Sequence, residues 1–158
     1  MAELTRIGEI HRKTGETEIL VQVELDGTGS YQIDTPIPFF SHMLTLLSVH
    51  SLCNLKVIAQ GDIDVDDHHT VEDIGICLGE AIKMALQDKN GINRYGEAII
   101  PMDEALARVV IDLSGRPYLV YNVKIDREKV GDLATENVQE FFQALANTAG
   151  MNLHIDLI

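Results

Sequence analysis

One short run of the sequence, Asp66-Asp67-His68-His69-Thr70-Val71-Glu72-Asp73, combines two histidines with four carboxylates. If this run begins a helix, His68 and Glu72 lie on one face, while the adjacent His69 points about 100° away. One chelate cannot easily use both histidines. Imidazole and carboxylate suit Mn, Fe or Zn, so the divergent pair indicates two metal sites or one site completed by another subunit. The structural alternative is a helix cap with a solvated first turn, but protonated histidines gain nothing from the N-terminal helix dipole.

Two arginines and one glutamate are further candidates for a role in binding or catalysis. Arg94 follows one glycine-containing turn and Arg116 lies within another. In a strongly acidic chain, arginines on tight turns are candidates for bidentate recognition of phosphate or carboxylate. Surface ion pairs with the many carboxylates are the alternative. Glu16 lies in a predicted hairpin and, without further context, is a carboxylate facing water.

Composition excludes several classes of function. The chain has 158 residues and a formal net charge of −13, which opposes generic binding to a phosphate backbone. It contains no apolar run of the ~20 residues that a membrane span needs, and its first residues lack the apolar core of a signal peptide. We therefore expect a cytoplasmic protein without nucleic-acid or membrane partners. Cys53 and Cys77 stand in apolar surroundings and are expected to be buried, reduced thiols.

The elements that must position these residues follow from hydrophobic periodicity. Alternation over residues 6–13 and 19–25 predicts a hairpin, and the apolar segment 39–47 predicts a helix followed by a strand at 54–58. A long helix is predicted over 68–89, with Asp67 as its cap and Asn90-Gly91 as its stop. The pattern then restarts, with strands at 98–101, 105–113 and 118–125, a helix at 136–149 and a strand at 151–158.

The order of these elements indicates an internal repeat. Aligning Asn152-Leu153-His154-Ile155 on Asn54-Leu55-Lys56-Val57 superposes the two preceding helices without a gap and sets Glu140 opposite His42. A lone histidine in an apolar helix is more often a core residue than a ligand, but a ligand-competent repeat partner favours the ligand role for His42. The halves are predicted to be residues 1–92 and 93–158. The same offset would place a counterpart of the long helix near residue 166.

Taken together, these segments closely resemble the imidazoleglycerol-phosphate dehydratase family, and the resemblance covers nearly the whole chain. The matched segments are Arg6-Ile7-Gly8-Glu9, Leu25-Asp26-Gly27-Thr28-Gly29, Phe39-Phe40-Ser41-His42-Met43-Leu44, Asp67-His68-His69-Thr70-Val71-Glu72-Asp73-Ile74-Gly75, Arg94-Tyr95-Gly96, Pro101-Met102-Asp103-Glu104-Ala105-Leu106, Ser114-Gly115-Arg116-Pro117-Tyr118, Phe141-Phe142 and Leu153-His154-Ile155.

The resemblance implies an α+β fold of duplicated half-domains, similar to the second domain of ribosomal protein S5, with helices packed on one face of a sheet. It implies a manganese-dependent lyase of histidine biosynthesis that dehydrates the phosphorylated substrate imidazole glycerol phosphate to imidazole acetol phosphate. It also implies a homo-oligomer, since family members form trimers and, with manganese, shells of twenty-four subunits whose active sites lie between chains.

The resemblance also assigns roles to individual residues. The expected substrate contacts are Arg94 and Arg116 on the phosphate, with Glu16 and His42, and the expected catalytic carboxylates are Glu16 and Glu72. The expected ligands of two Mn²⁺ ions are His42, His68, His69, Glu72 and Glu140.

Family members continue into a second His-His-x-x-Glu helix and a basic tail. The expectation is therefore that the 158 residues carry only part of each coordination sphere and that this form has little or no activity. A non-catalytic oligomer of the same fold is the alternative function. An RNA-binding module is opposed by the acidic charge and by the lack of basic patches with interleaved aromatic residues.

Overall fold

Residues 6–158, which the computed structural model describes, form helices and strands in an α+β arrangement that confirms the predicted class. In chain order the elements are β1 (Ile7–Lys13), β2 (Thr17–Glu24), β3 (Tyr31–Asp34), α1 (Pro38–Ser51), β4 (Asn54–Gly61), α2 (His68–Leu86), β5 (Tyr95–Met102), β6 (Ala105–Asp112), β7 (Tyr118–Asn122), β8 (Lys129–Val130), β9 (Leu133–Ala134), α3 (Glu136–Ala149) and β10 (Asn152–Leu157).

The longer strands form two four-stranded sheets with the same topology. The first sheet has the order β1-β2-β4-β3, and the second has the order β5-β6-β10-β7. In each, a hairpin pairs antiparallel with a third strand, and the fourth strand runs parallel to that third strand. The shared topology supports the internal repeat, with one sheet built by each copy. A boundary at residues 92 and 93 stays a prediction.

Helix α2 lies at the centre of the fold, between the first hairpin and α3. Its residues Ile74, Cys77 and Ala81 are fully buried, because apolar side chains recur every three or four positions along it. Two glycines let α3 approach closely. A Cβ atom on Gly75 would lie 2.7 Å from a backbone carbonyl oxygen of α3, and one on Gly79 would lie 2.0 Å from the Thr148 hydroxyl. The two copies of the repeat therefore share one core along α2.

The two sheets differ in how they are covered. Helix α2 packs over β1 and β2, whereas no helix among residues 6–158 packs over the corresponding strands β5 and β6. On the face that carries the buried Leu153 and Ile155, the outer residue Ile100 is 63% exposed. The second sheet thus presents apolar surface where the first sheet is enclosed. None of the described helices is long and apolar enough to cross a membrane.

Several local expectations need correction. Helix α2 ends at Leu86 and not at 89, because the backbone turns into the left-handed region at Gln87, with φ 49°. Asp67 makes no side-chain cap, since its Oδ2 atom instead accepts the Ala134 N–H at 2.8 Å. The short strands β3, β8 and β9 carry too few alternating residues to be recognised in the sequence.

The cysteine expectation is confirmed for Cys77 and only partly for Cys53. Both thiols are free, but Cys53 is half-buried while Cys77 is fully buried. Burial raises the pKa of the Cys77 thiol to about 12, because the thiolate would lose its hydration in the apolar core. Cys77 is therefore a packing residue of α2 and is held in the unreactive thiol form.

The repeat provides a matched test of how closely α2 approaches the first hairpin. Gly8 and Gly96 are each the second residue of their hairpin's first strand, but a Cβ on Gly8 would lie 1.9 Å from the Ala81 carbonyl oxygen. At Gly96 the nearest atom would be 3.4 Å away. We expect Gly8→Ala to lower the free energy of unfolding by about 1–3 kcal/mol, because backbone must move. Gly96→Ala should be neutral or slightly stabilising. Urea denaturation of both variants measures this, and equal effects would contradict the packing described.

Candidate active site

The two adjacent histidines occupy the first two positions of α2 and diverge as the helical geometry predicts. Their ring centroids are 5.7 Å apart and the ring planes are nearly perpendicular, at 77°. The Nε2 atom of His68 lies 3.4 Å from Oε2 of Glu72, one turn further along the helix. The Nδ1 atom of His69 lies 3.4 Å from Oε2 of Glu16, in the turn between β1 and β2. The site therefore consists of two separate imidazole and carboxylate pairs.

His68 is held from the opposite side by a residue of α3. Its Nδ1 atom lies 3.2 Å from Oδ1 of Asn137, a side chain that is only 2% exposed. When Nδ1–H donates to this oxygen, the Nε2 lone pair of the neutral ring is free on the side of Glu72. Sequence reasoning missed Asn137, because a contact across 69 positions leaves no local signal.

Glu16 is held by a network at the turn that carries it. The Thr14 hydroxyl accepts the N–H groups of Glu16 at 3.2 Å and Thr17 at 3.0 Å. The Glu16 carbonyl oxygen accepts the Asp62 N–H at 3.1 Å. The Thr17 hydroxyl in turn donates to Asp73, which is buried on α2. The Glu16 backbone is thus bonded to the residue that follows β4, and its neighbour Thr17 is bonded to α2, while the Glu16 side chain remains exposed.

The structure does not bring His42 and Glu140 to these pairs. Both side chains are exposed, His42 on α1 and Glu140 on α3. Within residues 6–158, no three His, Cys, Asp or Glu side chains converge closely enough to hold a metal ion. The described part of one chain therefore supplies pairs of candidate ligands and not a complete coordination sphere. His42 is also not the core histidine that an apolar helix would favour.

A cleft of about 610 Å³ opens beside His68, between the start of α2 and the segment that carries β8 and β9. Its lining is strongly acidic and includes one lysine, Lys129, against five carboxylates. The carboxylates are Asp64, Asp66, Asp67, Asp132 and Glu136. Such a cleft attracts cations and repels a phosphate group.

The two candidate phosphate-binding arginines lie at the other end of α2. Lys89, just beyond the C-terminus of this helix, donates to the carbonyl oxygen of Leu113 at 2.9 Å, close to both arginine-bearing turns. Because α2 has 19 residues, about 1.5 Å of rise per residue separates its two ends by about 28 Å. One copy of the chain therefore cannot bring Arg94 or Arg116 to His68 and His69.

The two arginines also differ in how much of the guanidinium is available. Arg94 donates to both carboxylate oxygens of Asp112, at 2.6 and 3.1 Å, and its guanidinium carbon lies 5.0 Å from the centre of the Tyr95 ring. Arg116 is exposed and forms no ion pair with residues 6–158. Hydrogen bonding from Arg94 lowers the pKa of Asp112 below its ordinary value. Arg116 is thus the freer of the two candidates for binding an anion.

Comparison with known proteins gives a consistent match. Residues 35–158 match the family model described as imidazoleglycerol-phosphate dehydratase. A protein of that name from Syntrophomonas wolfei is 72% identical over 153 residues, which span 97% of this chain and 78% of the relative. One from Trichlorobacter lovleyi is 58% identical over 155 residues, spanning 98% of this chain and 80% of the relative.

Solved structures match as well. The crystal structure of imidazoleglycerol-phosphate dehydratase from Staphylococcus aureus has a TM-score of 0.85 and 44% identity, covering 96% of this chain and 84% of that one. The enzyme from Pyrococcus furiosus, in complex with (S)-C348, has a TM-score of 0.78 and 33% identity, covering 94% of this chain and 79% of that one.

The pairing of Arg94 with Asp112 can be tested by titration. We expect Arg94→Gln to raise the pKa of Asp112 toward its ordinary value of about 3.9, because the carboxylate loses its main hydrogen-bond donor. Since the folded pKa is lowered, the pair stabilises the fold above the unfolded pKa, and this contribution is lost as pH falls through the folded pKa. Carboxyl ¹³C NMR measures the pKa of Asp112, and urea denaturation at several pH values measures the contribution of the pair to stability. Asp156 is the internal control, because Asn122 and Arg108, and not Arg94, lower its pKa, so its titration should not change. An unchanged titration of Asp112 in Arg94→Gln would contradict the pairing.

Proposed function

The chain belongs to the imidazoleglycerol-phosphate dehydratase family, and on that basis we propose that the paired donors at the start of α2 are its manganese ligands. The protein is a hydro-lyase of histidine biosynthesis, an imidazoleglycerol-phosphate dehydratase. The observation that carries the proposal is the geometry of two imidazole and carboxylate pairs, His68 with Glu72 and His69 with Glu16.

The donor chemistry and spacing of His68 and Glu72 fit a transition-metal ion. Metal–ligand bonds of about 2.1 Å place neighbouring ligand atoms about 3 Å apart. The Nε2 and Oε2 atoms are 3.4 Å apart, so small rotations would let both bind one ion. The acidic cleft beside His68 supports a cation at this position. Bound manganese would supply Lewis-acid stabilisation of the negative charge that develops on the substrate.

Completion of each site by another copy of the chain is part of the proposal. Exposed His42 and Glu140 are available to a neighbouring subunit, as are the arginines at the far end of α2. A homo-oligomer, with trimers and a shell of twenty-four subunits as the family resemblance implies, would bring these groups to the histidines. We also propose a cytoplasmic location, which the two free thiols support because that compartment keeps cysteines reduced.

The reaction needs a base that reaches a carbon-bound hydrogen. Elimination of water from imidazole glycerol phosphate to imidazole acetol phosphate removes the hydroxyl group from the carbon attached to the imidazole ring and a hydrogen from the next carbon of the side chain. No carbonyl group acidifies this hydrogen, so the ring itself must accept the electron pair. Glu16 is positioned to move the proton, since its carboxylate is exposed beside His69 on a fixed turn. Glu72 lies on the metal side of His68, where it serves as ligand and second catalytic carboxylate. Arg116 would hold the substrate phosphate from another subunit.

The ligand assignment predicts a specific loss in His69→Ala. We expect manganese retention to fall about 10–100-fold and turnover to be abolished, because a ligand at the start of a helix is lost and no core side chain is changed. The protein used is the full-length chain in its natural oligomeric form. Bound manganese per chain, turnover and far-UV circular dichroism measure the effect. His50→Ala, also an exposed histidine, is the control. Wild-type manganese content in His69→Ala would rule the assignment out.

The phosphate assignment predicts a defect in KM for Arg116→Lys. Lysine keeps the charge but loses the planar fork, so KM should rise about tenfold, equivalent to about 1.4 kcal/mol, while the free energy of unfolding changes little. Higher ionic strength should deepen the defect. Arg108→Lys is the matched control, because Arg108 is already bonded to Asp156. Unchanged kinetics in Arg116→Lys would leave Arg116 as a surface residue without a role in substrate binding.

A further inference from the structure

The position of the Glu16 carboxylate over His69 depends on how the β1–β2 turn is fixed to α2. Glu16 has 60% of its side chain exposed, so packing does not hold it. Its neighbour Thr17 is 4% exposed and lies at the start of β2. Asp73 lies four residues after His69, and therefore on the same face of α2 one turn later. The contact between Thr17 and Asp73 is consequently a buried tie between the residue that follows Glu16 and helix α2.

The geometry of this tie is well defined. The Thr17 hydroxyl donates to Oδ2 of Asp73 at 2.5 Å, and Nε of Arg12 donates to Oδ1 at 3.2 Å. The Asp73 side chain is only 12% exposed. One buried carboxylate therefore joins β1, β2 and α2 at the end of the molecule that carries Glu16. On the turn itself, the Thr14 hydroxyl accepts the N–H groups of Glu16 and Thr17, so hydrogen bonds hold the turn and Thr17 together.

The stability of the fold alone gives little reason for a charged side chain at position 73. Burying a carboxylate costs free energy that its partners only partly return, and apolar replacements of buried ion pairs are often neutral or stabilising. Apart from Thr70, the other buried residues of α2 are apolar, as at Ile74 and Cys77. A directional hydrogen bond, unlike an apolar contact, fixes both distance and orientation between two elements. The hydrogen bond from Thr17 to Asp73 therefore fixes the position of β2 relative to α2, which apolar packing alone would not do.

We propose that Asp73 and Thr17 are positioning residues that set the distance between the Glu16 carboxylate and His69, and thereby the efficiency of proton transfer. The inference rests on the proposed role of Glu16. Neither residue is proposed to touch the substrate. Thr17 holds the turn that carries Glu16, and Asp73 holds Thr17 by accepting the hydrogen bond of its hydroxyl.

The first experiment is structural and uses the metal-free protein. In the wild type, NMR should detect nuclear Overhauser effects between the Glu16 side chain and the His69 ring, whose facing atoms are 3.4 Å apart. Thr17→Val keeps the shape of the side chain but removes the donor, so these signals should weaken or disappear. Thr17→Ser should retain them. Thr28→Val, which removes a hydroxyl from an exposed turn elsewhere, is the matched control. Full retention of the signals in Thr17→Val would overturn the inference.

The second experiment is kinetic and, like the His69→Ala test, uses the full-length chain as its manganese-loaded oligomer. Thr17→Val should lower kcat about 10–100-fold with KM and manganese content unchanged, because small displacements of a catalytic group cost rate and not binding. Thr17→Ser should restore kcat. Asp73→Leu, which has a similar branched shape but offers no acceptor to the Thr17 hydroxyl, should give the same split between kcat and KM if Thr17→Val folds poorly. An unchanged kcat, or a loss shared equally with KM and manganese content, would overturn the inference.

A double-mutant cycle with Glu16→Gln separates this inference from the function on which it rests. If Thr17 acts through Glu16, Thr17→Val should cause no further loss of kcat in the Glu16→Gln background. Additive losses would overturn the positioning role and leave the role of Glu16 intact. Full activity of Glu16→Gln would instead overturn the proposed role of Glu16, and the inference with it.

Discussion

The structure depends on the close packing of α2 between the first hairpin and α3. Gly8 on the hairpin and Gly75 and Gly79 on the helix remove the side chains that would hold these backbones apart. The resulting contacts bury the inner residues of α2 completely and join the two copies of the repeat in one core. Because the helix cannot shift within this packing, its first turn is a fixed point from which His68 and His69 project.

The polar contacts around that first turn come from three separate parts of the chain. Asn137 reaches His68 from α3, Glu16 reaches His69 from the β1–β2 turn, and the Ala134 N–H is accepted by Asp67. Each contact joins a residue at the start of α2 to a distant part of the chain. This is the arrangement expected of metal ligands that need defined ring orientations. The acidic residues that line the cleft beside His68 would likewise favour a cation and disfavour free phosphate.

The rigid helix α2 also holds apart two groups of side chains that the proposed reaction needs at one site. The imidazole and carboxylate pairs lie at one end of α2, and the available guanidinium of Arg116 lies near the other. A chain with a net charge of −13 has few cations, and Arg94 is already bonded to Asp112. Association of several copies is therefore a geometric requirement of the proposed mechanism. It would place Arg116 of one subunit at the acidic end of another.

The sequence by itself determined the features that depend on local geometry. It predicted the bounds of α3 and the start of α2, the divergence of His68 and His69 and the α+β class, because helical spacing acts over a few residues. Only the tertiary structure decided which side chains meet. The contacts from Asn137 to His68 and from Thr17 to Asp73 span 69 and 56 positions, and no local pattern records them. It likewise decided that Asp67 accepts a bond from Ala134 and makes no cap, and that His42 and Glu140 lie apart from the histidine pair. Packing of the two halves sets these distances, and packing is a property of the whole chain.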